Sequence, residues 1–403
     1  MPLAVFVLGL SIFALGTSEF MITGLLPGMA ADLGVSIPDA GLLISAFAVG
    51  MVVGAPLLAV GTLRLPRRTT LLALLVVFAG SHVVGALAPG YGLLFATRIV
   101  SALACAGFWA VAAATTVSLV PAARRGRALA VLVGGLTLAN IAGVPAGTLL
   151  GQHAGWRTAF WAVAALTVLA VVGVLAFVPR TVSDSSALRV RTELRVFRNG
   201  RVWLALGVIA LTQAMVFATF SYLAPLLTTT DGLPSSWVPL VLVLFGAGAF
   251  IGILAGGKLA DAHPFATLYG SLALAVVALV ALAVTSDVAV AVTAVLVLGA
   301  AAFAANPALN VRAYSVAGGS STLVGASTTS GFNVGNTAGP WVGGVAINAG
   351  LGFPSVAWVS VGLGGLALAA LTFALRLQRS DDARTPRRPA LSPDEPVVQP
   401  ATQ

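Results

Sequence analysis

Charge is scarce in this chain. Asp, Glu, Lys and Arg together make up 8% of 403 residues, while hydrophobic residues make up 59% and the mean hydropathy is +1.03. A soluble domain carries about 25% charged residues, and one water-facing core cannot hide this much apolar surface. The composition excludes an ordinary soluble fold. Cysteine is nearly absent: Cys105 stands alone, so no intramolecular disulfide can form, and in mid-segment it reads as a small apolar side chain. With three histidines and no clustered His, Cys or carboxylate ligands, no metal or other cofactor is expected. There is no Gly-rich nucleotide loop ending in Lys-Ser or Lys-Thr, which argues against direct use of ATP. One acid among scattered asparagines also lacks the paired groups an enzyme needs.

What fills the chain is long apolar runs. A spanning helix takes about 20 apolar residues, and the sequence divides into twelve such segments. They are roughly 3–27, 39–62, 69–88, 91–119, 127–150, 157–179, 202–227, 237–260, 265–285, 288–311, 321–349 and 354–377. The expected fold is an all-α polytopic membrane protein with twelve transmembrane helices. The first segment has no Lys or Arg before it, runs longer than a signal core and contains Glu19, so it is expected to stay in the protein.

Orientation follows from the basic residues. Nineteen of the twenty-one Lys and Arg fall in the even-numbered loops or in the tail from Arg376, which are therefore predicted to be cytoplasmic. The opposite loops carry Asp32, Asp39, Asp231 and Asp287, with Arg157 as their one base. Both termini are thus expected on the cytoplasmic side of the membrane. The net charge of +9 is read as topogenic arginine near anionic headgroups, with the bilayer and not nucleic acid as the partner.

The chain also repeats itself. A shift of 198 pairs Pro27 with Pro225, Phe47 with Phe245, Gly50 with Gly248, Gly54 with Gly252 and Pro66 with Pro264. A shift of 196 pairs Asn140, Gly143 and Gly147 with Asn336, Gly339 and Gly343. This implies two pseudo-symmetric six-helix halves, 1–179 and 202–377, joined by a basic cytoplasmic linker at 180–201. Residues 378–403, rich in Pro and charge, are expected to form a disordered cytoplasmic tail. Two parallel repeats place a binding site at the midplane between them, and such a bundle needs no second copy to form its pathway, so a monomer is expected to suffice.

Of twelve Asp and Glu residues, only Glu19 lies inside a long apolar run. An ionisable group at membrane depth marks a functional site. Ser11, Gly16 and Thr23 lie at helical spacing on its side and predict a wet, protein-facing stripe. Arg98, about two turns inside the fourth segment, either finds a buried acceptor or snorkels to the surface. His82 reads as a packing histidine or a proton relay. Buried polar side chains in Asn140, Gln213, Asn306, Asn310, Asn333 and Asn336 need partners. With Phe20, Trp109, Phe217, Phe220, Tyr222, Phe303 and Phe332 as walls, they are the substrate-pocket candidates. Gly143, Pro145, Gly147 and Gly151 strip one helix face of side chains, predicting close approach of a helix from the other half.

Three stretches carry a family resemblance: GAPLLAVGTLRLPRRTTL, LLFATRIVSALACAG, and ANIAGVPAGTLLG followed by GWRTAFW. Together with GTSEFMITGLLPGMAADLGVS they resemble the cytoplasmic-loop, helix 4 arginine and helix 5 antiporter motifs of twelve-helix drug:proton antiporters of the major facilitator superfamily. The resemblance spans residues 1–377. It is strongest, through the helix 1 stretch and FSYLAPLL, to the actinobacterial chloramphenicol resistance exporters. It implies that Glu19 and Arg98 handle the coupling proton, that Gly143, Pro145, Gly147 and Gly151 form the antiporter motif, and that the loop motif is represented by Arg64, Arg67 and Arg68. The family's acidic loop residue is replaced by Leu63 in the first repeat, and its counterpart is Asp261 in the second, where Asp261 with Lys258 could substitute for the usual charge latch.

The expected function is proton-coupled export of a small, largely apolar antibiotic by alternating access, with chloramphenicol as the best single candidate. An exporter of a sugar, nucleoside or other metabolite, and a non-transporting membrane sensor, are the alternatives. The sensor is disfavoured by the lack of a soluble output domain.

Overall fold

The computed structural model describes residues 1–62, 65–121, 124–180, 199–317 and 322–384, with no side-chain description at 59, 60, 322, 323, 326 and 379–384. Arg64, nearly all of the 180–201 linker and residues 385–403 lie outside the described residues. Among those described there are helices and no strands. The N-terminal set comprises α1 (Leu3–Phe20), α2 (Ile22–Leu33), α3 (Ile37–Gly61), α4 (Arg67–Ala86), α5 (Tyr91–Ser118), α6 (Arg125–Leu138), α7 (Val144–Ala154) and α8 (Trp156–Phe177). The C-terminal set comprises α9 (Gly200–Phe220), α10 (Leu223–Thr229), α11 (Val238–Ala262), α12 (Pro264–Val284), α13 (Val288–Val316), α14 (Thr322–Ala346) and α15 (Pro354–Arg384). The last helix thus continues past residue 377.

Among the described residues, eleven helical spans are long and apolar enough to cross a membrane. The expected twelfth, at 321–349, is α14, a helix rich in Ser, Thr, Asn and Gly that does not count among those spans. Its position explains the polarity, because α14 packs between α3 and α9 rather than at the rim. Phe6, Val77, Leu169, Trp203, Leu254 and Phe373 are exposed on the outer face, as apolar side chains facing lipid should be.

Several helices are broken where the sequence removes backbone donors or weakens the ladder. Pro225 has no N–H for the Ser221 carbonyl, and the chain turns at Ser221 and Tyr222 between α9 and α10. A matching turn at Met21 separates α1 from α2, beside Glu19. Pro145 likewise cannot donate to Ile141, and residues Ala139–Gly143 widen into a π-turn just before it.

Glycine sets the distance between helices. A β-carbon at Gly248, Gly252 or Gly256 of α11 would overlap the Leu296, Ala300 or Ala304 carbonyl oxygens of α13. The repeat-related Gly50 and Gly54 bring α3 against Ile99, Ala102, Leu103 and Ala106 of α5. Gly143, Gly147 and Gly151 do not seat a helix of the other half, as their sequence suggested. They face Thr17, Met21 and Leu25, so the groove is filled by α1 and α2 of the same set. Gly339 and Gly343 receive α9 in the same way. The reason is connectivity: the smallest faces pack the helices that the repeat places side by side.

The two sets meet along antiparallel α3 and α14. Pro38 lies against Gly344, Ser45 Oγ donates to the Thr337 carbonyl (2.9 Å), and Ser330 Oγ donates to the Val52 carbonyl (3.4 Å). These positions fall seven residues apart on each helix, two turns, which keeps one stripe facing the partner. A second seam joins α7 and the π-turn to α11, where Gly246 abuts the backbone of Asn140 and Ile141. Toward the end bearing Asp32 and Asp231, α2 meets α10 and Gln152 donates to the Ser235 carbonyl (2.8 Å).

Replacing Gly252 by Val would drive a side chain into backbone that no rotamer change can clear. We expect it to cost about 3 kcal/mol and to lower the melting temperature of the purified protein, while Ala at the open Gly257 leaves it near wild type. At the surface, Trp156 Nε1 donates to Asp32 (2.9 Å) and Arg157 pairs with the same carboxylate. These two hydrogen bonds, from Trp156 and then Arg157, hold the Asp32 carboxyl below its usual range. The stability it contributes is therefore present at neutral pH and is lost as pH falls through that depressed value. Asp32→Asn should lower the melting temperature at pH 7, and its difference from wild type should shrink as pH falls below the ordinary carboxylate range.

Candidate functional site

The polar centre of the bundle is built on the last turn of α1. A buried guanidinium requires acceptors, and Arg98 of α5 reaches them on Ser18. Its Nη1 donates to Ser18 Oγ (2.9 Å) and its Nη2 to the Ser18 carbonyl (3.0 Å). That carbonyl lies where a helix end leaves acceptors unused. Arg98 is 1% exposed, so it does not snorkel, and its Cζ lies 4.4 Å from the centre of the Phe47 ring. Ser18 Oγ also lies 2.6 Å from His82 Nε2, while His82 Nδ1 is 2.8 Å from the Phe78 carbonyl.

Glu19 follows Ser18 directly and turns the other way, into the cleft between the two helical sets. It lines a cavity with Phe20 of α1, Ile44, Phe47 and Ala48 of α3, Phe217 of α9 and Asn336 of α14. The side chain is partly accessible and makes no ion pair. Among the described residues the one salt bridge is Arg157 with Asp32. Arg98 and Glu19 are therefore neighbours in one field without direct pairing. The cavity is only about 10 Å³, room for little more than one water.

The stripe expected to be wet is packed instead. Ser11 returns its hydrogen bond to the Val7 carbonyl (2.9 Å), Gly16 touches Leu136 and Ala139, and Thr23 is buried. Ser11 and Thr23 are buried and Gly16 packs on α6 and the π-turn, so these positions face protein and do not form a wet stripe beside Glu19.

Around the cavity, aromatic rings form a row: Phe20 to Phe217 (5.5 Å between centroids), Phe217 to Phe220 (5.6 Å), Phe220 to Phe245 (4.3 Å) and Phe245 to Phe303 (6.1 Å). The carbonyl oxygens of the Asn306, Asn333 and Asn336 side chains are buried without partners. Asn333 Nδ2 is committed to the Thr329 carbonyl (3.0 Å), which fixes its oxygen as the free end. Asn140 donates to the Leu136 carbonyl (3.1 Å) and Asn310 to the Asn306 carbonyl (2.9 Å). Gln213 is buried where α9 crosses Gly335 of α14.

Other predicted positions lie elsewhere. Tyr222 is fully buried, donates to the Pro340 carbonyl (2.8 Å) and sits in a slot made by Gly41, Gly343 and Gly344, away from the Glu19 cavity. Trp109 packs on the N-terminal core, and Phe332 on the cluster around Leu268 and Leu309. Of the loop residues, Arg67 donates to the Ala114 carbonyl (3.3 Å) and Arg68 to the Leu175 carbonyl. Asp261 is exposed and forms no described salt bridge, so no Asp261–Lys258 latch is present in this state. Ser18, Phe47 and Phe245 belong to the centre but were not among the candidates. A hydroxyl next to the one buried acid was the signal for Ser18, and the Phe47–Phe245 repeat pair was the signal for the rings.

A larger cavity of about 500 Å³ opens between the sets toward the Asp32 end, lined by Gly24, Pro27, Gly151, Trp156, Ala224 and Val238 among others. No group of three or more potential metal ligands occurs among the described residues.

Residues 8–331 match the Major Facilitator Superfamily profile. A chloramphenicol resistance protein of Streptomyces lividans is 44% identical over 372 residues, covering 91% of this chain and 95% of that protein. The inner membrane transport protein YdhP of Escherichia coli K12 is 37% identical over 372 residues, covering 92% and 95%. Among solved structures, an inward-facing, unoccupied bacterial homologue of the human lysosomal transporter Spinster superposes with a TM-score of 0.75 at 19% identity, covering 94% of this chain and 98% of that one. The nucleoside transporter NupG gives 0.74 at 14% identity, covering 92% and 99%. Those two likenesses speak for the fold, and the sequence relatives for the lineage. The chain, a multi-span membrane protein built on two abutting helical sets, is a member of the major facilitator superfamily of small-molecule transporters.

Proposed function

We propose that this protein exports a small, largely apolar antibiotic, with chloramphenicol the leading candidate, in exchange for protons. The observation that carries the proposal is the placement of Glu19: an ionisable carboxyl at the cleft, facing Phe217 and Asn336 of the opposite set rather than lipid. Desolvation in a closed cleft favours the protonated acid, and water admitted by opening favours the carboxylate. Rocking of residues 1–179 against 202–377 would thus load and release one proton per cycle.

The cargo follows from the walls. Phenyl rings from Phe20, Phe217, Phe220 and Phe245 suit an apolar aromatic body, and the unpaired amide oxygens of Asn333 and Asn336 suit its hydroxyl or amide donors. The name of the Streptomyces lividans relative agrees with that chemistry. A cavity of about 10 Å³ cannot hold such a molecule, so the sets must part to admit it. The 500 Å³ cavity falls in the range of small-molecule sites and would serve as a vestibule toward the side bearing Asp32. With both termini cytoplasmic, that side is the periplasmic or external face, and one copy of the chain suffices.

The energetics suit the task. A proton moving down the membrane potential supplies roughly 2.3 kcal/mol per 100 mV, against about 1.4 kcal/mol for each tenfold gradient of a neutral drug. One proton per molecule sustains a useful gradient.

In proteoliposomes, Glu19→Gln should insert normally yet abolish chloramphenicol-stimulated proton flux and uphill export; active export by this variant would reject the mechanism. For the cargo, Asn336→Ala should weaken chloramphenicol binding about tenfold, the effect of one lost hydrogen bond, as read by equilibrium binding to purified protein. A tighter response to sugars or nucleosides than to phenicols in the same assay would favour the metabolite exporter.

A further inference from the structure

His82 is a buried titratable group near the cleft that the exchange just described does not use, and its two nitrogens have distinct partners. The Phe78 carbonyl can only accept, so Nδ1, 2.8 Å away, carries a hydrogen. In the neutral ring Nε2 is then bare, and Ser18 Oγ, 2.6 Å away, must point its hydrogen at it. Ser18 Oγ is left with lone pairs only, and these meet Arg98 Nη1 at 2.9 Å. The direction of every bond in the chain is thus set by one backbone carbonyl on α4. A doubly protonated ring would reverse this: Ser18 Oγ would face donors on both sides, its own hydrogen would be stranded, and two cations would share one hydroxyl.

The ring is held in place by Phe78 (4.3 Å between centroids) and Phe160 of α8 (5.6 Å), so it has little freedom to change partners. His82 is 2% exposed and Ser18 is fully buried, which keeps water from substituting for either.

We propose that His82 is a positioning residue: through Ser18 it holds the Arg98 guanidinium on the last turn of α1, beside Glu19 but not paired with it. This rests on the proton-exchange role of Glu19. The groups turned toward Glu19 are few. α5 contributes Arg98 and, within electrostatic range, the Cys105 thiol; α3 contributes Ile44, Phe47 and Ala48; α9 contributes Phe217 and α14 Asn336. Arg98 is the one fixed charge among them, so its distance governs how readily Glu19 takes a proton. Without its Ser18 Oγ acceptor, Arg98 Nη1 would be released from that hold, and the Glu19 carboxylate, the anion within its electrostatic range, would become a competing acceptor. That contact favours the ionised acid and displaces proton release to lower pH.

The test uses the full chain in proteoliposomes, recording chloramphenicol-evoked proton release against pH. Ser18→Ala and His82→Phe should move the midpoint about one unit to lower pH, the size of one hydrogen bond to a charged group. His82→Gln, which can offer an amide oxygen to Ser18, should keep the wild-type midpoint. Unmoved midpoints in Ser18→Ala and His82→Phe, with export intact, would overturn the proposal. A second readout does not depend on transport. The chain has three histidines, so His82 is identified in a nitrogen-15 histidine spectrum as the signal missing from His82→Gln. It should be the neutral Nδ1–H tautomer at pH 7, in wild type and in Glu19→Gln alike. An Nε2–H tautomer or an imidazolium there would overturn the hydrogen-bond chain, whereas absent proton release with the expected tautomer would reject the Glu19 role alone.

Discussion

A cation that cannot lose its proton must be satisfied by polar atoms wherever it is buried, and Arg98 imposes that condition on the centre of this protein. Its two bonds to Ser18 tie α5 to the end of α1 and fix where the backbone of α1 can stop. Glu19 is then delivered to the cleft by the geometry of its neighbour. Had Arg98 paired with Glu19 directly, the two charges would have been locked together at considerable desolvation cost, and the acid would be ill suited to the proton exchange proposed for it. Holding the charges close but separate keeps the carboxyl responsive to whatever opens or closes the cleft.

Close backbone approach is the second constraint, and it is met by glycine. In a membrane, helices gain little from hydrophobic association because lipid tails are as apolar as leucine. Tight van der Waals contact must do more, and the carbonyl-to-glycine contacts of α11 on α13 provide it. The same logic explains why α14 can be polar. Flanked by α3 and α9, it exchanges its Ser, Thr and Asn bonds with its own carbonyls and with Ser45 and Val52 across the seam.

Much of this was legible in the sequence, because the physical rules at work are local or periodic. Apolar runs located most helices, though not the break at Met21 or the ends at Leu33 and Arg384; the lone acid marked the cleft, and the 198-residue repeat paired Gly50 with Gly248 in equivalent contacts. Contacts between particular helices were not legible. The stripe of Gly143, Gly147 and Gly151 shows that some helix comes close, yet nothing in its spacing says whether that helix is α1 or one from the second set. Tyr222 reads as a pocket wall because its ring lies in an apolar run; in the fold its hydroxyl is taken by the Pro340 carbonyl, on a helix more than a hundred residues away. Ser18 was overlooked because a serine in a helix usually bonds its own backbone, as Ser11 does, and only the fold brings His82 and Arg98 to it.

The repeat also shows how one scaffold carries unequal chemistry. At the 198-residue shift Glu19 corresponds to Phe217, Ser18 to Val216, His82 to Val280 and Arg98 to Leu296. Every polar member of the central chain has an apolar counterpart in the second set. Glu19 and its counterpart Phe217 both line the same small cavity between the two sets. Phe47 and Phe245 diverge in the same sense, one beneath a guanidinium and the other stacked on Phe220. One set therefore concentrates the ionisable groups and the other much of the aromatic wall, with the asparagines of α14 completing it. A molecule occupying the cleft would touch both, and its presence would alter the solvation of Glu19 without contacting Arg98. In the proposed exchange, coupling between proton and cargo would need no long pathway through the protein, because the two would compete for one desolvated space.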